Sequence, residues 1–333
     1  MAIIAVAGES SEVDPQGTSP TYSTYFEYHI DTESRVGVAL AEGTTDKRVW
    51  LNWSNSLSEG WTHFVLTTGT DTDTNLSLMR GYTYTGGVYT EEWRIAATAN
   101  TGEFAFYTWD GTTWIVSGNP FSIGVNMDYQ VIDVYFKMDA TNGEWRVYNN
   151  GILLQSYTGG FTTPSNSINA VRFTAPDNTA TFYVSQIIVA DESTLGFKLI
   201  TLEPTADSSV VDWVGSYTNI DAANYVDEAS PMTSDVIGAK ALFTGANVDA
   251  SFNTLEVKAV VVSGVYSVTG GGTVTDLRPI LNTGGLDFTG PLLSLPNTGE
   301  LRRHQEIWHN NPNTSTKWTI PEVDALTYGA LTA

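Results

Sequence analysis

The chain contains no cysteine, and it is short of positive charge, of charged residues altogether and of long apolar runs. Without cysteine there is no disulfide framework, no thiolate metal site and no cysteine nucleophile, and folding in a reducing cytoplasm is the expectation. Lysine and arginine number 15 against 37 aspartates and glutamates, a formal charge of -22. Such a field repels phosphate backbones and anionic lipid headgroups, which argues against nucleic-acid and membrane partners; its plain service is solubility. Both parts of the chain share it, with 22 acidic and 8 basic groups in residues 1–196 and 15 and 7 in the remainder. No run approaches the length that spans a bilayer. The apolar start Ala2-Ile3-Ile4-Ala5-Val6-Ala7 is short, lacks a basic stretch before it and runs into acidic residues, so it reads as a strand or docking arm and not as a secretion signal. Heptads, collagen-like triplets and β-helical repeats, the usual means of building long trimeric fibres, are missing as well.

What is present points to β-structure. Charged residues make up 16% and aromatics 12%, with Gly, Thr and Asn between them, the profile of sheets whose polar faces carry neutral side chains. At 333 residues the chain exceeds what one core usually fills, so two domains are expected. Alternating or β-branched and aromatic runs recur about every ten residues, bounded by Gly, Asn, Asp and Pro. They are Thr24 to Ile30, Arg35 to Ala41, Lys47 to Trp53, Trp61 to Thr67, Val88 to Ala97 and Glu103 to Trp109. Tyr129 to Met138, Glu144 to Tyr148, Ile152 to Tyr157, Asn169 to Thr174 and Thr181 to Ala190 continue the series. Asp110-Gly111 and Asn149-Asn150-Gly151 have the chemistry of tight hairpin turns. After a boundary near Gly196 the chain becomes poorer in aromatics, with strands expected at Val236 to Phe243, Leu255 to Val262, Thr273 to Leu281 and Leu301 to His309. One helix stands out at the end: Thr319 caps it, Glu322 completes a capping box, Pro321 suits a first turn and Gly329 is a natural stop.

Two resemblances follow. Val131 to Asp139 followed by Asn142 to Leu153 is similar to the strand-turn-strand segment of laminin G-like and concanavalin A-like jelly rolls, and Thr181 to Asp191 resembles the closing core strand of that fold. Leu202-Glu203-Pro204-Thr205-Ala206-Asp207, Asn224-Tyr225-Val226-Asp227-Glu228 and the helix motif Lys317 to Gly329, in that order, are similar to the linker and second module of tailed-bacteriophage virion proteins of decoration or tail type. The resemblance implies a jelly roll displayed on a particle and a second module that mounts it.

Chemistry is sparse by comparison. Jelly-roll glycosidases usually place their carboxylates as Glu-x-Asp-x-x-Glu or Glu-x-Asp-x-Glu on one strand, and no such string occurs. Glu91 and Glu92 point to opposite faces of a strand, and Asp133 and Asp139 read as solvated strand-edge acids. His29, His63, His304 and His309 do not converge, and no Gly-x-Ser-x-Gly elbow exists. Jelly rolls of the resembled type commonly carry calcium; Asp71, Asp73 and Asn75 offer alternate oxygen ligands, but Leu76 and Tyr82 stand where a helix-loop-helix calcium loop needs Gly and Glu, and an Asx-rich turn explains the same residues. Trp93, Tyr107, Trp109, Asp110, Trp114 and Asn119 cluster around one hairpin, either as a glycan platform or as core, since rings stack on pyranose faces and also fill sandwiches.

The sequence therefore predicts an all-β chain: an N-terminal arm or docking strand at 1–20, a jelly roll at 21–196 and a smaller β-sandwich with a C-terminal helix at 197–333. Its expected role is a non-enzymatic virion protein of a tailed phage, assembled in the host cytoplasm. Tail fibre or adhesin with host glycan binding stands first, capsid decoration second and a secreted carbohydrate-active enzyme outside both. Other virion proteins, copies of itself and a surface glycan are the expected partners, with calcium the one cofactor considered.

Overall fold

A computed structural model describes residues 2–7, 14–16, 21–23, 37–40, 48–68, 77–98, 102–110, 112–123, 129–161, 163–174, 182–220, 231–268, 274–295, 299 and 302–333. The chain divides into two compact units, Met1–Thr201 and Leu202–Ala333.

The first unit is built from strands β1 (Ile3–Ala7), β2 (Asp14–Gln16), β3 (Thr21–Ser23), β4 (Gly37–Leu40), β5 (Arg48–Leu57), β6 (Glu59–Thr68), β7 (Ser77–Thr85) and β8 (Val88–Ala97). It continues with β9 (Glu103–Trp109), β10 (Trp114–Val116), β11 (Phe121–Ser122), β12 (Gln130–Lys137), β13 (Glu144–Asn149), β14 (Ile152–Thr158), β15 (Ile168–Thr174) and β16 (Phe182–Ala190). Two antiparallel sheets result. The back sheet runs β14-β13-β12-β6-β16-β4-β3 with β1 on β16, and the front sheet runs β10-β9-β8-β7-β15-β5-β2 with β11 on β9. Their inner faces close on one core, so the unit is a jelly-roll sandwich. Residues 3–7 of the expected arm are a strand of the back sheet, paired with Ile187–Ala190, because an apolar segment gains more from an unfilled sheet edge than from water.

A column of rings crosses the core. Trp93 stacks on Phe106 at 5.2 Å, Phe106 on Trp145 at 4.9 Å and 8° between planes, and Trp145 on Tyr157 at 6.3 Å. The first two rings come from the front sheet and the last two from the back. Gly81, paired with Trp93, has no Cβ, and a Cβ there would run into the indole; the missing side chain makes room for the largest ring of β8.

The second unit holds β17 (Pro204–Val211), β18 (Lys240–Gly245), β19 (Val260–Tyr266), β20 (Asp276–Thr283), β21 (Leu286–Thr289), β22 (Leu293–Ser294), β23 (Arg302–Trp308), helix α1 (Ile320–Asp324) and β24 (Thr327–Thr332). A six-stranded sheet, β17-β18-β24-β20-β21 with β22 on β20, faces the β19-β23 ribbon across Val262, Leu281, Trp318, Val323 and Leu326. The capping box forms: the Glu322 carboxylate accepts from the Thr319 amide at 2.8 Å and its hydroxyl at 2.9 Å, which holds the carboxyl below its usual pKa. Trp318 donates its Nε1 hydrogen to the Trp308 carbonyl at 2.8 Å while its ring joins the core.

Gly329, expected as the helix stop, instead lies inside β24 opposite Leu242 and Ile280. The helix ends at Asp324, and the chain re-enters the sheet at Thr327, where pairing on both sides outweighs further helix. A Cβ at 329 would overlap the Ala241 carbonyl. Gly329→Ala is therefore expected to cost about 1–3 kcal/mol, read as a lowered urea midpoint in the unfolding of the second unit; an unchanged midpoint would contradict this packing.

Candidate functional site

Alternation along β8 and β9 decides which side chains face outward. Trp93, Ile95, Phe104 and Phe106 are fully buried toward the core. Their neighbours Arg94 and Tyr107 consequently point to the outer face of the front sheet, directly opposite one another. The Asp110 turn folds β10 back so that Trp114 pairs with Trp109, ring centroids 5.4 Å apart and edge to face. The Arg94 guanidinium lies 4.6 Å over the Trp114 ring and 5.4 Å over Tyr107. Tyr107, Trp109 and Trp114 are each half-buried, with part of every ring open to solvent.

Three of the six residues expected in the ring cluster thus share one outward platform. Trp93 does not: it is 0% exposed in the core column, because it sits one position out of phase with Arg94, and it is withdrawn from the site. Asp110 is exposed, but its carboxylate is committed to its own turn, accepting from the amides of Thr112 and Thr113 at 2.8 and 2.7 Å and from the Thr112 hydroxyl at 2.9 Å. These bonds, the Thr113 amide foremost, hold its pKa below the ordinary aspartate value. Asn119 is exposed beyond the hairpin, where its carbonyl accepts from Gln155 Nε2 at 3.3 Å.

The structure adds residues that the sequence reading passed over. A register shift between Gly81 and Tyr82 inserts one extra residue in β8. Glu91 then faces outward, accepting from Arg80 at 3.0 Å and from the Tyr82 hydroxyl at 2.8 Å, with Arg94 at 3.8 Å. Burial is the largest single influence on Arg80 and works against its charge, but Glu91 and Tyr82 together outweigh it, so its pKa ends raised; for Arg94 burial prevails and the pKa ends lowered. The Tyr82 phenol is pushed well above its ordinary pKa by burial and then by Glu91. Farther along the same face Arg172 lies 4.9 Å over Tyr82 and 5.1 Å over Trp50. Trp50 in turn packs on Tyr89 at 4.0 Å, and Tyr89 on Tyr84 at 4.4 Å. The face is a belt of alternating rings and guanidiniums.

The acids expected at solvated strand edges are mostly placed otherwise. Glu92 is fully buried and accepts from the Ser165 amide at 2.8 Å, since the bulge turns it away from the outer face. Asp133 is 1% exposed on a middle strand of the back sheet, bonded to His63 Nδ1 at 2.9 Å and to the Thr194 hydroxyl at 2.6 Å, with Thr194 closing over it. Asp139 does remain near the surface, in a turn where it accepts from the amides of Thr141 and Asn142. His304 Nε2 lies 3.2 Å from the Pro291 carbonyl. Asp71, Asp73, Asn75 and His29 lie outside the described residues, and among the described residues no group of three His, Cys, Asp or Glu is placed to hold a metal.

No protein-family model matches the chain, and no curated protein matches it. Solved structures do. A carbohydrate esterase from Shiga toxin-encoding bacteriophage phi24B is similar over 58% of this chain and 99% of its own, at 10% identity and a TM-score of 0.42. The carbohydrate-binding module CBM66 from Bacillus subtilis matches over 53% and 94%, at 12% identity and 0.33. Botulinum neurotoxin type C, described as depending on two ganglioside molecules for cell entry, matches over 86% and 72%, at 11% and 0.40. Of a sialidase that also matches, this chain spans 16% of the length. At such values the likeness describes fold and carries no inference about activity.

Two expectations follow from the geometry. Trp93→Ala should destabilise the first unit by about 3–5 kcal/mol and Trp114→Ala by about 1 kcal/mol, measured by denaturant titration; equal losses would mean that Trp114 is core. Because the Asp110 pKa is depressed on folding, its contribution is present above the ordinary aspartate pKa and is lost as pH falls through the lowered value. The far-ultraviolet exciton signal of the Trp109–Trp114 pair should accordingly persist at pH 5 and fade only below about pH 4, while Asp110→Ala weakens it already at pH 5 and above. A signal indifferent to both changes would show that the turn does not hold the pair.

Proposed function

We propose that the chain is a non-enzymatic, surface-displayed structural protein of a tailed-phage particle whose jelly roll binds a host glycan through the outer face of its front sheet. One observation carries the glycan reading: Tyr107, Trp109 and Trp114 stay partly open on a flat sheet while equally large neighbours fill the core. Rings held edge to face on paired strands lose little freedom when a sugar stacks on them, and a pyranose presents an apolar C–H face of matching size.

The virion assignment rests on the ordered sequence motifs of residues 202–329. In the structure the last motif anchors the second core through Trp318 and Val323, as a mounting module would need for its own stability. Within the particle, a compact adhesin on the tail and a decoration protein on the capsid differ in position more than in chemistry. The lack of fibre repeats favours a short attachment over a long fibre.

The non-enzymatic reading is supported by how the acids are used. Glu91 is shared by Arg80, Arg94 and Tyr82, Glu92 is bonded to the backbone inside the sandwich, and Asp133 is buried with His63 and Thr194. None of these pairs presents an acid and a base across an open bond.

Glycan-array binding by the full chain tests the proposal. Trp109→Ala and Trp114→Ala should each weaken the best ligand about tenfold or more, roughly 1.4 kcal/mol, while the protein stays folded with a melting temperature lowered by only about a few degrees. Binding that survives both variants, or ester or glycoside cleavage abolished by one carboxylate substitution, would overturn it.

A further inference from the structure

The outer face of the front sheet carries a row of arginines that the packing of that sheet does not call for. Arg172 on β15 is directly opposite Arg80 on β7, Arg80 is opposite Arg94 on β8, and Arg94 is opposite Tyr107 on β9. Three arginines therefore occupy one transverse line on adjacent strands, whose backbones lie about 4.8 Å apart. Like charges directly opposite one another destabilise a strand pair. The chain has 37 acidic residues with which to relieve them and only 15 cations in all. Yet among the described residues a single carboxylate, Glu91, serves both Arg80 at 3.0 Å and Arg94 at 3.8 Å, which leaves this pair of arginines one unit of positive charge in excess of it. The Nε–H groups of Arg80 and Arg94 are both buried from water and have no hydrogen-bond partner among the described residues. Their planes are held: Arg94 against Trp114 and Tyr107, Arg80 by Glu91 and by the Ser77 hydroxyl at 2.8 Å.

From this we infer that the glycan taken by the platform is an acidic one, a sugar chain bearing carboxylates, with its rings on Tyr107, Trp109 and Trp114 and a carboxylate received by Arg94 and Arg80. The inference rests on the platform reading above and refines it. A pre-oriented guanidinium offers two parallel N–H groups that match the two oxygens of a carboxylate, and a site that is partly buried keeps that attraction against salt. The overall charge of -22 acts in the opposite sense at long range, so selectivity has to come from contact at the row and not from steering. A neutral glycan would leave the excess charge as it is, gaining only the stacking.

The test uses the full chain and pairs of oligosaccharides that differ only in charge. Oligomers of galacturonate, glucuronate, mannuronate, guluronate and sialic acid are each titrated beside their methyl esters by calorimetry. At least one free acid should bind about tenfold or more tighter than its ester, and Arg94→Gln and Arg80→Gln should each bring that ratio close to one, with each variant's own ester titration as its reference and circular dichroism showing that the sheets remain intact. Equal affinity for acids and esters, or a preference that both arginine variants retain, would overturn the inference and leave the platform reading standing. Binding of none of the oligomers, acid or ester, together with an empty glycan array, would remove both.

Discussion

The column Trp93–Phe106–Trp145–Tyr157 is the contact on which the rest of the first unit depends. It ties both sheets through one stack of rings, and it fixes the phase of β8 and β9. With a side-chain period of two, a slip of one residue would bring Arg94 and Tyr107 into the core and expel two of the largest buried rings. Because that is prohibitive, the arrangement on the outer face is a consequence of the arrangement inside. The platform is positioned by packing on its reverse side, which suits a binding surface that must be rigid before its ligand arrives.

Charge is distributed unevenly against that frame. The molecule as a whole is strongly acidic, but its outward front face gathers Arg80, Arg94 and Arg172 among aromatic rings. Acids that might have neutralised the face are used locally instead: Asp110 and Asp139 tie turns, Glu322 closes a helix, and Asp133 is sealed beneath Thr194. On the proposed glycan reading, solubility and recognition are served by different residues. The general acidity discourages unspecific association, and the arginine belt brings rings and positive charge together on one face.

Much of this was legible from residues alone, and the limits have physical causes. Val88–Ala97 and Glu103–Trp109 were bounded correctly because both alternate strongly and end at turn-forming residues. Counting back across the connection from those bounds sets Arg94 opposite Phe106, whereas the observed register pairs Ala97 with Phe104 and so brings Arg94 opposite Tyr107; that offset of one residue is not written in the strand ends. The partners Arg80 and Arg172 were not legible either, since they meet through a pairing of strands more than eighty residues apart and no local pattern specifies it. Ser77–Thr85 went unassigned for its mixed polarity, although both its neighbours are sheet strands. The bulge that buries Glu92 and the cover that buries Asp133 are tertiary events, invisible to alternation. Gly329 shows the same limit: a glycine after a helix has the composition of a stop, and only the close Ala241 carbonyl reveals why it is required.

The central claim is that the outer face of the front sheet, and no interior ring, meets a sugar. The ten tryptophans make this directly visible, because each indole Nε1–H gives its own resonance in a nitrogen-proton correlation spectrum. Adding the best-binding glycan to labelled protein should shift the Trp109 and Trp114 indole signals and leave those of Trp93 and Trp145 in place. Movement confined to other tryptophans, with Trp109 and Trp114 unperturbed at saturation, would contradict the account.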